Sequence, residues 1–157
     1  MALIVGTALA LLMAAIAIFD WRYYRVPDAL SALALGLRGV DLAFVTPRAA
    51  GAAFLYAALR AVVAATVFYL IRILYRRWRG REGLGLGDVK LAAVAGAWVD
   101  WLLLPYVVEC AALVCIGIAL VRAWRTGGHL RADTRLPFAV GFAPAIFVGW
   151  QLQGFLF

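Results

Sequence analysis

GLGLGDVKLAAVAGAW, residues 83–98, places Asp88 and Lys90 directly ahead of an apolar stretch. A carboxylate carried into hydrocarbon costs about 2.5–3.5 kcal/mol at a helix centre and less near an interface, so an acid in this position needs a reason to be there. The surroundings make the fold explicit. Of 157 residues 67% are hydrophobic, and the mean hydropathy is +0.96, far from soluble globular composition. The expected class is an all-α integral membrane protein. At about 20 residues per crossing, the length admits at most six spans in one bundle. Residues 1–157 are accordingly expected to form a single integral-membrane domain.

Apolar runs fall at 2–19, 29–46, 51–71, 89–104, 105–121 and 137–157. The second is the weakest, interrupted by Gly36, Arg38, Gly39 and Asp41, and the fourth and fifth meet near Pro105. Residues 1–19 lack the basic start and cleavage site of a signal peptide and are expected to be a retained first span. If the helices alternate, Arg22, Arg25, Arg72, Arg76, Arg77, Arg79, Arg81, Lys90, Arg122, Arg125, Arg131 and Arg135 share one side. These are twelve of the fifteen lysines and arginines. The positive-inside rule assigns that side to the cytoplasm and both termini to the outside. Omitting the second span would separate Arg22 and Arg25 from the cluster at 72–81. The net charge of +7 is thus an orientation signal, and no nucleic-acid site is read from it.

Other polar residues carry plainer readings. Arg60, inside the third run, is expected to pair with Asp41 or snorkel outward. Asp100 and Glu109 fall near the outer ends of helices 4 and 5. Cys110 and Cys115 match neither a zinc spacing nor a disulfide framework and read as helix packing. His129 reads as a loop residue, since one imidazole builds no metal site.

Asp20 closes the first apolar run and Asp88 opens the fourth, and alternation puts both at the cytoplasmic boundary. Two carboxylates ~4 Å apart at an effective dielectric of ~20 repel by about 4 kcal/mol, so such a pair holds one proton between them. Its charged member can deprotonate water while the protonated member donates to a carbonyl oxygen, as in aspartic proteases. Asp88 at a helix N-terminus and Asp20 in a last turn would make Asp88 the base and Asp20 the acid. The bland role for Asp88 is an N-cap. Gly83, Gly85 and Gly87 leave a flexible stretch that could approach another backbone, and Gly85 and Gly87 are candidates for binding substrate or shaping the site. A P-loop is excluded because Val89 precedes Lys90, and the dinucleotide fingerprint because its third glycine is missing. Asp28 reads as a cap on helix 2, and Lys90 as reaching headgroups.

Gly85-Leu86-Gly87-Asp88 resembles the GxGD motif of the type IV prepilin peptidases, which are membrane aspartic proteases. The run Asp20 to Asp28, DWRYYRVPD, resembles their first motif. Leu136-Pro137-Phe138-Ala139-Val140-Gly141 is loosely similar to the start of their last helix. The resemblance implies Asp20 and Asp88 as the catalytic pair, with no metal or organic cofactor. It implies a prepilin substrate, cut between a short cytoplasmic leader and the start of its hydrophobic helix, in the inner membrane. Longer members carry an N-terminal cytoplasmic region with paired cysteines and methylate the new N-terminus. This chain is similar to the short peptidase-only forms of Flp-type pili, without the methyltransferase, and some short relatives act on archaeal preflagellins. Two other readings fit the residues: a proton-coupled transporter or channel with Asp20, Asp88 and Arg60 along its path, or an assembly subunit in which the acids are caps.

Overall fold

The computed structural model describes residues 2–45, 47–125 and 137–156. His129, Arg131, Asp133, Arg135 and Leu136 lie outside the described residues, and the expectations that rest on them stop there. Among the described residues the fold is helix only: α1 (Ala2–Tyr23), α2 (Asp28–Val45), α3 (Ala50–Arg79), α4 (Leu86–Trp98), α5 (Leu104–Arg125) and α6 (Phe138–Leu156). Four of these, α1, α3, α5 and α6, are long and apolar enough to cross a membrane. α2 carries three charged residues in 18, and α4 has only 13 residues. The helix count agrees with the six apolar runs.

Two boundaries differ from expectation. α3 does not stop with its apolar run at 71 but continues through Arg72, Arg76, Arg77 and Arg79, because arginine is a good helix former. It ends at Gly80, whose left-handed φ of 67° lets its N–H reach the carbonyl of Arg76. α4 ends at Trp98 rather than 104: residues 99–103, apolar apart from Asp100, form a turn, with the N–H groups of Leu103 and Leu104 donating to the carbonyl of Asp100.

The core is built around α4. Leu91, Ala92 and every residue from Val94 to Trp98 are buried, meeting Leu9, Met13 and Ile16 of α1 and Phe142 and Ile146 of α6 in one cluster. α1 and α6 run antiparallel, Gly6 facing Trp150 and Asp20 facing Ala139. Outward faces carry large apolar side chains such as Leu11, Val62, Leu70, Leu113 and Ile116, which suits lipid contact. α4 packs chiefly on α3. A Cβ at Gly96 would collide with the carbonyl of Arg60 and with Ala61 Cα, so the two backbones touch there.

At ~20 Å, α4 is shorter than the ~30 Å hydrocarbon layer, so its terminal carbonyls need partners inside the bundle. Three successive carbonyls are taken by three different helices. Arg60 Nε of α3 donates to Gly96 O at 3.1 Å, Arg38 Nε of α2 to Ala97 O at 3.1 Å, and Gln153 Nε2 of α6 to Trp98 O at 2.8 Å. Each guanidinium has its own counter-ion: Arg60 pairs with Asp100 at 3.1 Å and Arg38 with Asp41 at 2.5 Å. The expected Arg60–Asp41 pair therefore does not form, because Arg38, three residues back on the same helix, already occupies Asp41. Arg38 also lies over the Trp98 ring, whose indole N–H donates to Ala34 O.

Gly96→Ala is expected to lower stability by about 1–3 kcal/mol, the usual range for overpacking, because α4 must back away from α3. Thermal unfolding in detergent, read by circular dichroism, checks this.

Candidate active site

Asp20 sits in the last turn of α1, 6% exposed. The helix stops three residues on, where Tyr24 takes a left-handed φ of 52° and returns its N–H to Asp20 O. The carboxylate of Asp20 accepts the Ala139 N–H at 2.9 Å and is also hydrogen-bonded by the Val140 N–H. Both donors belong to the first turn of α6, whose N–H groups have no partner within their own helix. Pro137 immediately precedes that turn.

Asp88 is the third residue of α4, not its N-cap. Gly85 is the N-cap, and Asp88 Oδ2 reaches back to accept its N–H at 3.0 Å. Each aspartate therefore faces a helix N-terminus, Asp20 that of α6 and Asp88 that of its own helix. The dipole asymmetry expected between them is offset, and with it the basis for naming one the acid. Gly87 lies inside α4, so in the free chain the glycine-rich stretch is not an open strand. A Cβ at Gly87 would stand 3.0 Å from Val26 Cβ, in the connection that leads from α1 to α2. That close passage draws the end of α1 onto the start of α4.

The two carboxylates consequently act on each other through space, and both act on Cys115 of α5. Cys115 is buried, with Sγ 3.8 Å from the carbonyls of Pro137 and Phe138. Its place beside the acids was not legible in the sequence, where it reads as packing. The α6 N–H groups were missed too, although Pro137 before an apolar run marks a helix start. Asp28 and Lys90 pair with each other at 2.5 Å, tying α2 to α4, rather than serving as separate cap and headgroup contact. Glu82 pairs with Arg72 at 2.6 Å and fastens the connection before α4 to α3. Arg60 is not in this group. Its contact at Gly96 lies eight residues, ~12 Å, along α4 from Asp88. Among the described residues no three His, Cys, Asp or Glu side chains gather as a metal set.

An apolar groove of about 500 Å³ opens between α3 and α5, with α4 and α6 contributing to its wall. Phe68, Ala92, Ala95, Val108 and Phe142 are among its lining residues. Ala92 is one helical turn from Asp88, and Phe142 one turn from Ala139. The rings of Phe68 and Phe142 stack at 5.7 Å.

Fold and site define a multi-pass helical membrane protein with two interacting carboxylates at one end of its bundle. The sequence profile of the type IV leader peptidase family matches residues 7–120, a stretch containing both aspartates, and the chain belongs to that family. It is 43% identical over 103 residues to a prepilin leader peptidase/N-methyltransferase of Burkholderia pseudomallei (strain 1026b), covering 60% of this chain and 33% of the relative. It is 40% identical over 92 residues to the leader peptidase HopD of Escherichia coli, covering 58% of this chain and 59% of HopD. The chain thus spans about a third of the first relative and under two thirds of the second. No solved structure gives a significant match.

Asp20→Ala strands two α6 N–H groups and is expected to lower stability by about 1–3 kcal/mol. Asp20→Asn keeps an acceptor oxygen and is expected to lower it by less. Thermal unfolding of the two variants side by side tests the difference.

Proposed function

We propose that this chain is a membrane aspartic endopeptidase that removes the cytoplasmic leader from type IV or Flp-type prepilins. Membership in the leader peptidase family, over a segment holding both interacting aspartates, carries the reading. Six crossings with both termini outside would set the site at the end of the bundle where Arg72, Arg76, Arg77 and Arg79 cluster. The positive-inside rule makes that the cytoplasmic side of the inner membrane.

The chemistry follows from one proton held by two carboxylates. The ionised member takes a proton from water, the oxygen attacks the scissile carbonyl, and the protonated member donates to the carbonyl oxygen. Collapse of the tetrahedral intermediate breaks the C–N bond, the departing amine receives the proton taken from water, and the carbonyl oxygen returns its proton to the carboxylate that gave it. Gly85 supports this role by giving its N–H to Asp88, and Gly87 by admitting Val26. The groove beginning a turn below the acids offers an apolar seat at the depth where the substrate's hydrophobic helix begins.

Incubating the purified protein with a prepilin and reading the new N-terminus by mass spectrometry tests the activity. Asp20→Asn and Asp88→Asn are each expected to lower the cleavage rate by at least about 100-fold, within the 10²–10⁴ of general acid–base catalysis. Full cleavage by either variant would overturn the pair. Val67→Trp, which sets a bulky ring on the groove's wall, is expected to raise KM about tenfold, or ~1.4 kcal/mol, for full-length prepilin. A leader peptide without the hydrophobic helix should keep its KM.

A further inference from the structure

The polar cluster at the other end of α4 has no part in the chemistry just described, yet it holds the helix that carries Asp88. α4 meets α3 at Gly96, where its backbone lies against that of Arg60 and Ala61. Its polar contacts are gathered at its two ends. At the cytoplasmic end stand the Gly85 cap and the Asp28–Lys90 pair, which is exposed to water. At the buried end, Arg60, Arg38 and Gln153 hold three consecutive carbonyls from three separate helices. The guanidinium side chains of Arg60 and Arg38 are only 13% and 14% exposed, and Asp100 and Asp41 neutralise them. A cation on a helix's final carbonyls also meets the negative end of its dipole.

We propose that Arg60 and Arg38 are positioning residues for Asp88: they fix α4 along its axis from the end remote from the acids. The inference rests on the proteolytic reading above. One residue of slip moves a helix by ~1.5 Å, and ~1 Å of misplacement in an active site lowers rates by about 100-fold. The arginines touch neither acid, so their effect passes through the helix.

Arg60→Met removes both the donor to Gly96 O and the cation while keeping an unbranched side chain of similar reach. It is expected to lower kcat by about 10- to 100-fold with KM for full-length prepilin within about threefold. Arg60→Lys, whose ammonium can still approach the carbonyl, is expected to recover most of kcat. A merely destabilised enzyme would show neither the split nor the rescue. A kcat within about twofold of the parent in Arg60→Met, or a loss confined to KM, overturns the proposal. If Arg60→Met is not recovered folded, Arg38→Met takes its place under the same two outcomes.

A distance measurement separates this inference from the functional reading. Spin labels at Tyr24→Cys and Leu86→Cys, in a Cys110→Ala, Cys115→Ala background, report the separation of α1 and α4 by pulsed electron resonance. The arginine variant is expected to shift or broaden that distance whether or not the parent protein cleaves prepilin. An unchanged distribution overturns the positioning role. A parent protein that cleaves nothing overturns only the proteolytic reading.

Discussion

A helix whose end is buried in its own bundle must find partners for its last carbonyls, and α4 is such a helix. Its last residues, Gly96 to Trp98, are enclosed by the bundle, and at 13 residues α4 is the shortest of the six described helices. The bundle answers with side chains from α2, α3 and α6, and the requirement accounts for features that look anomalous one at a time. Arg38 and Arg60 are charged residues in apolar surroundings because α4 needs donors. Asp41 and Asp100 follow because the donors are cations. α2 tolerates its charges because they face α4 and α3 rather than lipid.

The opposite end of α4 obeys the same rule with the signs reversed. There the exposed groups are N–H donors, and the partner is an acid: Asp88 for its own helix, Asp20 for α6. The two aspartates are thereby doing a structural job that any helix start in a bilayer requires. Their proximity adds a chemical property that neither has alone, since two negative charges at close quarters invite a shared proton. On the proposed reading, capping and proton transfer draw on the same geometry.

Much of this was readable in the chain. The six apolar runs mark six helices, the breaks before Asp28 and Phe138 mark helix starts, and the glycines before Asp88 mark a tight passage. What escaped was partner choice. Arg60 and Asp41 sit at matching depth, but depth says nothing about which helices are neighbours, and Arg38 wins Asp41 through its place three residues away on the same helix. Asp20's partner is a backbone N–H 119 positions downstream, and backbone donors leave no letter in a sequence. Cys115 is buried packing, as its apolar flanks indicate, and its sequence gives no sign of the α6 carbonyls it lies against. α3 outran its apolar stretch because helix propagation depends on the backbone and on arginine's propensity rather than on hydropathy.

The bond from Ala139 to Asp20 joins α1 with the last helix described here, so α6 follows α1 into the membrane by more than a hundred residues. Until α6 arrives, Asp20 has no donor from that quarter and α1 lacks the neighbour along which it lies. A partly threaded chain therefore holds an unfinished pair of acids. The order of synthesis itself keeps the centre from assembling before the surrounding bundle can enclose it.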